Sequence, residues 1–365
     1  MTATRHLELR PAHHEVRRGR GPLKPRSLRV RIATLTLLAT GVLTVLLAVP
    51  GLRGVLAEIR HLKAPWLILA ITLELASCLS FVVIFRHFFD GLPGRLTRAV
   101  AWTEMGSGAL LPGGGAGSLA IGGWLLHRAG MPTRQIVRRS SGLFFLTSAT
   151  NVAALIGGGV LLLTGISSSS HPLLLGGPPI LVGLLGAGGA VALPRLTRHH
   201  ATWAKRWPWL KELIAGIGEA EHALLRPSWR QLGSLGYLSF DIAVLWATLN
   251  AVGYHPQLAT LVLGYIIGYL ANIIPIPGGV GVLEGGLVGT LVIYGAPPAQ
   301  TVAGVLVYHA IAFWIPSLGG LWAYARIRPQ LTTPSAINTK RPPTPMSHNH
   351  PNAEERRLPS ARTAA

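Results

Sequence analysis

The sequence predicts an all-α, polytopic integral membrane protein, and three observations carry that prediction. Apolar runs near or above the roughly 20 residues needed to cross a bilayer recur along the chain, at about 32–49, 65–85, 140–164, 178–193, 231–251 and 298–324. Lys and Arg gather in alternate connections between these runs. Two further apolar segments are interrupted by proline and glycine, which predicts re-entrant broken-helix hairpins in place of simple spans.

Taken in order, residues 1–31 form a basic head with few large apolar residues, expected to be disordered and cytoplasmic. The run at 32–49 is too long for a signal-peptide core, and no small-residue cleavage site clearly follows, so it reads as a retained anchor. Residues 50–64 and 205–226 read as interfacial or amphipathic helices; in the second, Leu210, Leu213, Ile214 and Ile217 recur at helical spacing beside Lys211 and Glu212. Residues 32–325 are thus expected to form one transmembrane domain, and 326–365 a basic, disordered cytoplasmic tail. The single cysteine, Cys78, lies inside an apolar run and permits no intramolecular disulfide.

Charge distribution sets the orientation. Of the 33 Lys and Arg, 9 fall in 1–31, 7 in 86–139, 7 in 194–230 and 7 in 326–365, while 165–177 and 252–257 have none. That alternation follows the positive-inside rule and predicts both termini in the cytoplasm. A net charge of +20 invites a nucleic-acid reading, but these charges form no single surface and accompany no groove-reading element, so nucleic acid is excluded as a partner. Anionic lipid headgroups fit the basic segments better.

The first broken segment, 99–126, contains Leu110-Leu111-Pro112-Gly113-Gly114-Gly115-Ala116-Gly117. Arms of about 13 residues rise roughly 20 Å, short of a hydrocarbon core of about 30 Å. The second, within 258–297, contains Pro275-Ile276-Pro277-Gly278-Gly279-Val280-Gly281-Val282-Leu283-Glu284-Gly285. A helix break leaves backbone groups unpaired, which hydrocarbon tolerates only beside a cavity or within protein. An offset of 165 aligns Pro112 with Pro277, Gly113 with Gly278, Gly114 with Gly279, Leu126 with Leu291, Gly130 with Gly295 and Pro132 with Pro297. Counting crossings makes the two hairpins enter from opposite sides. Span–hairpin–span units of opposite orientation predict an inverted repeat with a site near the midplane.

Four carboxylates fall inside apolar segments, and each must be paired, protonated or facing water. Glu284, just after the second break, leads. It either contacts a cationic headgroup amine, takes up a proton, or pairs with a basic residue on another span. Glu104, before the first break, stands on the same argument. Asp241 reads as a partner for a basic residue at a helix end, or as a site residue; Glu74 reads as a structural hydrogen-bonder or lipid-interface residue. Pro277, Gly278 and Gly279, with Gly113 and Gly114, either open helices whose N-termini suit a lipid phosphate or allow close helix packing. Arg138 and Arg139 either gather anionic headgroups or anchor the span that follows them. His13-His14 and His199-His200 lack metal-ligand spacing, and no nucleophile elbow or Walker loop is present. No catalytic residue, metal or cofactor is therefore expected.

At these residues the chain resembles a known family. Ile274-Pro275-Ile276-Pro277-Gly278-Gly279-Val280-Gly281-Val282-Leu283-Glu284-Gly285, with Tyr294-Gly295 and Val305-Leu306-Val307-Tyr308-His309, is similar to the C-terminal signature of the lysylphosphatidylglycerol synthase transmembrane-domain (flippase-like) family. Leu111-Pro112-Gly113-Gly114-Gly115-Ala116-Gly117, with Leu125-Leu126 and Gly130, resembles its N-terminal signature. The resemblance covers roughly residues 32–325. It implies a bacterial inner-membrane protein whose best-understood relatives move aminoacylated phosphatidylglycerol between leaflets. It also brings His309 among the candidate substrate-binding residues, at a position where relatives often carry arginine. The soluble aminoacyl-transferase domain of full-length synthases has no counterpart after 325, so no lipid synthesis is expected. The expected function is leaflet-to-leaflet movement of a phospholipid, anionic by expectation, or of a lipid-linked headgroup. The alternative is a non-transporting accessory protein that binds a partner enzyme in cell-envelope lipid or glycan assembly.

Overall fold

The computed structural model describes residues 62–110, 115–164, 171–199, 215–216, 218, 228–270 and 281–332. Every regular element among them is a helix: α1 (Ala64–Phe88), α2 (Gly94–Leu110), α3 (Gly115–Arg128), α4 (Thr133–Leu163), α5 (Pro172–His199), α6 (Leu232–Ala251), α7 (Leu258–Leu270), α8 (Val282–Ile293) and α9 (Pro298–Thr332). A short 3₁₀ turn, Trp229–Gln231, leads into α6. Five of these helices are long and apolar enough to cross a membrane. The anchor expected at 32–49, most of both interfacial segments, both hairpin breaks and both termini lie outside the described residues.

Two spans reach further than the apolar runs predict. α4 starts at Thr133, ahead of residue 140, and α5 at Pro172, ahead of 178. Hydropathy marks only the part of a helix that faces hydrocarbon. The first two turns of α4 carry Arg134, Arg138 and Arg139 and extend beyond it. At α5, Leu173-Leu174-Leu175 fills the first turn and the helix continues through Gly176-Gly177-Pro178-Pro179.

α1 and α6 form the central antiparallel pair. At one end the Lys63 N–H donates to the Ala251 carbonyl at 3.3 Å. At the other, Gly233 lies against the Ser80 carbonyl and Ile84. The α2–α3 hairpin follows the C-terminal end of α1, and the α7–α8 hairpin follows the C-terminal end of α6. Those ends lie on opposite faces, so the hairpins enter from opposite sides.

The packing obeys the same pseudo-twofold relation. α2 packs on α3 as α7 packs on α8, and α2 leans on α9 as α7 leans on α4. Helices α3 and α8 also end alike. Gly130 and Gly295 adopt φ of 90° and 92°, a conformation that glycine alone adopts without steric cost. The N–H groups of Met131 and Ala296 close the turns onto the Leu126 and Leu291 carbonyls at 3.1 and 3.0 Å, a Schellman end. All three pairs obey the 165-residue offset. Pro132 and Pro297 then lead into α4 and α9.

Glycine sets the depth of several crossings. Gly264 and Gly268, one turn apart on α7, receive Leu291 and Leu287 of α8. Gly106 of α2 sits against the Pro316 carbonyl and Gly320 of α9, the small-residue packing expected where lipid supplies no hydrophobic drive. Each hairpin builds its own apolar core. One joins Phe85, Phe88, Val100, Leu125, Leu126 and Leu143. The other joins Leu245, Leu249, Leu263, Leu287, Leu291 and Val305. The buried carboxylates Glu74, Glu104 and Asp241 belong to neither core.

Candidate functional site

A cavity of about 320 Å³ opens where helices of both hairpins meet the central pair. Glu74, near the middle of α1, and Asp241, near the middle of α6, face it from helices long enough to span a bilayer, which sets the cavity at mid-depth. Glu104 reaches it from α2 and Tyr269 from α7; Ser118 reaches it from α3 and Leu283 from α8. Each of these last two pairs is related by the 165-residue offset, so the cavity lies on the interface between the repeats. His309 and Tyr308 of α9 complete the wall.

The carboxylates are buried differently. Asp241 is 6% exposed and accepts hydrogen bonds from two tyrosine hydroxyls: Tyr308 at 3.0 Å and Tyr265 through a short contact. Tyr265 stacks on Tyr269 with ring centroids 5.1 Å apart and meets Tyr308 edge-on. The partner expected for Asp241 was a basic residue; the structure supplies neutral hydroxyls from α7 and α9. Glu74, 5% exposed, accepts the Cys78 thiol at 3.6 Å, while its other oxygen is buried without a hydrogen-bond partner. Glu104, 6% exposed, occupies space left open by Gly122 of α3. A neighbouring cavity of about 400 Å³, between α4, α6 and α7, shares Tyr237, Asp241 and Tyr269 with the first.

Glu284 stands one step behind the wall. Its Oε2 accepts the Gly281 N–H at 2.6 Å, capping the start of α8, where Gly281 takes φ 88°. Its Oε1 lies 3.3 Å from Nδ1 of His309, tying α8 to α9 beneath the cavity-facing imidazole. Arg139 lies elsewhere: its Nη1 donates to the Phe88 carbonyl at 2.7 Å and to Asp90 at 2.9 Å, fastening α4 to the end of α1. Arg138 shares those first turns of α4, and neither arginine lines the cavity. Pro277, Gly278, Gly279, Gly113 and Gly114 lie outside the described residues, but the first turns of the helices that follow them reach the site: Gly115 of α3 and Leu283 of α8 line it.

Sequence reasoning passed over the tyrosines and ranked Glu74 low. Two signals were available. Tyr265 and Tyr269 stand one turn apart in a run otherwise apolar, and Tyr308 directly precedes His309.

Two opposed broken hairpins around a carboxylate-lined cavity, in a bundle of membrane-length helices, define a polytopic membrane protein with an internal polar site at a repeat interface. Residues 32–320 match the model of the lysylphosphatidylglycerol synthase TM region, and the chain belongs to that family. It is also similar to a UPF0104 membrane protein of Methanothermobacter thermautotrophicus, 33% identical over 101 residues. That stretch is 27% of this chain and 29% of the relative, so the match spans less than a third of either protein.

Proposed function

We propose that this protein moves the polar headgroup of a phospholipid, or of a lipid-linked molecule, from one leaflet to the other. One observation carries the reading: a cavity bearing three buried carboxylates, midway along α1 and α6 and lined by both hairpins of the inverted repeat. A volume of about 320 Å³ falls at the lower end of the roughly 300–1,000 Å³ typical of ligand sites. It suits a headgroup whose acyl chains stay in the bilayer. Rocking one repeat against the other exposes such a site to each face in turn. The lipid phosphate would lie near the helix starts that follow Gly113-Gly114 and Pro277-Gly278-Gly279, where free N–H groups favour an anion. The distal polar part of the headgroup would reach Glu104, Asp241 and His309, with Glu284 holding His309 in place. Arg138 and Arg139 would draw anionic lipid towards the mouth of α4.

The work is positioning and desolvation, and no bond is made or broken. The alternation of Lys and Arg supports a bacterial inner-membrane orientation with both termini cytoplasmic. A leaflet-exchange assay in proteoliposomes tests the reading, using labelled phosphatidylglycerol, lysyl-phosphatidylglycerol and a neutral lipid. Protein-dependent exchange that falls in Glu104→Gln at equal reconstitution is expected. No exchange of any of the three by folded protein would count against transport and favour an accessory role beside an envelope-assembly enzyme.

A further inference from the structure

The cavity holds an imbalance of charge. Glu74, Glu104 and Asp241 all face it, and among the described residues no lysine or arginine lines it. Each of the three is at least nine-tenths buried. One oxygen of Glu74 has no hydrogen-bond partner, and among the described residues the Glu104 carboxylate accepts none. The titratable neighbours do not supply a fixed counter-charge. α1 adds the Cys78 thiol, which already donates to Glu74. α6, α7 and α9 add the phenols Tyr237, Tyr265, Tyr269 and Tyr308. α9 also brings His309, but that imidazole is engaged by Glu284 of α8. α2 brings Glu104 itself, and α3 only Gly115 and Ser118.

A buried carboxylate without a counter-charge is costly to keep ionised, and like charges sharing one site raise that cost. With no fixed cation among the described lining residues, a mobile ion is left to supply the balancing positive charge. The orphaned oxygen of Glu74 and the unpartnered Glu104 are where a proton fits without any rearrangement.

We infer that the cavity carboxylates hold exchangeable protons, given up when a cationic group of the headgroup enters, so that headgroup movement is coupled to the proton gradient. The balance is simple. A carboxyl O–H bond breaks, its proton leaves to water on the open side, and the carboxylate pairs with the incoming positive charge. Release of the headgroup on the other side returns a proton. This rests on the transport reading above, so the test separates the two.

Infrared difference spectra of the purified full-length protein in H₂O and D₂O at neutral pH report protonated carboxyl groups directly and need no transport. Such a band is expected in wild type, smaller in Glu104→Gln and in Glu74→Gln, and restored in Glu104→Asp. Its absence overturns the proposal whatever the protein transports. In proteoliposomes, an imposed gradient of about one pH unit should bias the leaflet distribution of lysyl-phosphatidylglycerol by up to about tenfold for one proton exchanged. Glu74→Gln, outside the residues assigned to the headgroup, should reduce the bias while exchange continues. Exchange indifferent to the pH gradient, or driven by a sodium gradient in its place, overturns the coupling and leaves lipid movement standing. A carboxyl band without exchange of any lipid overturns the coupling together with the transport reading, and leaves the proton site.

Discussion

Tyr308 and Tyr265 give the sharpest prediction about how the site is held. Both hydroxyls donate to Asp241, from different helices, and both residues are buried in the same core. Changing either to Phe leaves the ring and its packing in place and opens no large cavity. What is lost is one hydrogen bond to a buried carboxyl group. Hydrogen bonds to charged groups contribute about 1.5–3 kcal/mol in soluble proteins. Those measured between helices in a membrane average about 0.6 and reach about 1.7 kcal/mol. Each single variant should therefore lose roughly 1 kcal/mol. The double variant should lose more than the sum, by about 0.5 kcal/mol or more, because only then is the carboxyl group left with neither donor. Reversible unfolding of the detergent-solubilised protein, read as a double-mutant cycle, measures all three. Two singles and a double indistinguishable from wild type would refute the claim that these hydroxyls hold Asp241.

Other consequences follow from particular contacts. Gly268→Ala sets a Cβ 2.7 Å from the Leu287 Cα and 2.9 Å from its N and should cost about 1–3 kcal/mol by overpacking. Gly289→Ala on the open side of α8, with nothing within 4 Å, should be neutral or stabilising by up to about 1 kcal/mol; thermal unfolding distinguishes them. Gly130→Ala and Gly295→Ala should each cost about 1–2 kcal/mol, and by similar amounts, because both turns need the same left-handed backbone. Asp90, 63% exposed, should tolerate Asn with a change below about 0.5 kcal/mol. Arg139→Ala should cost more in the same melt, since it also strips the donor from the Phe88 carbonyl.

The parts of the architecture that rest on local chemistry were legible in the sequence. The Gly-x-Pro ends of α3 and α8 require a left-handed glycine before the next helix can begin. Their 165-residue spacing therefore read through to matching turns at Gly130 and Gly295. Buried carboxylates were legible for a related reason: Glu104 and Asp241 have no business in an apolar run unless something polar meets them. What meets them is a tertiary matter. Asp241 is satisfied by hydroxyls 24 and 67 residues away in sequence, and a tyrosine in an apolar run reads equally as packing. Glu74 looked peripheral because nothing near it in sequence marks a break; only the crossing of α1 and α6 brings it to the cavity. Glu284 drew attention by its place beside the break, and the fold sets it behind His309. The start of α4 was misplaced because its first two turns are basic and hydropathy registers the bilayer's edge; that of α5 because Gly176-Gly177-Pro178-Pro179 interrupts the apolar run, while the helix runs through it.

The central claim is that the cavity opens to each side of the membrane in turn, and Cys78 reports on it directly. It is the sole cysteine of the chain, 2% exposed, and its thiol lies on the cavity wall. A membrane-impermeant maleimide applied to oriented proteoliposomes, from one side and then from the other, measures its access. The account predicts slow labelling from both sides, slowed further by an added lipid that the protein moves. Labelling from neither side, or from one side alone under every condition, would contradict it.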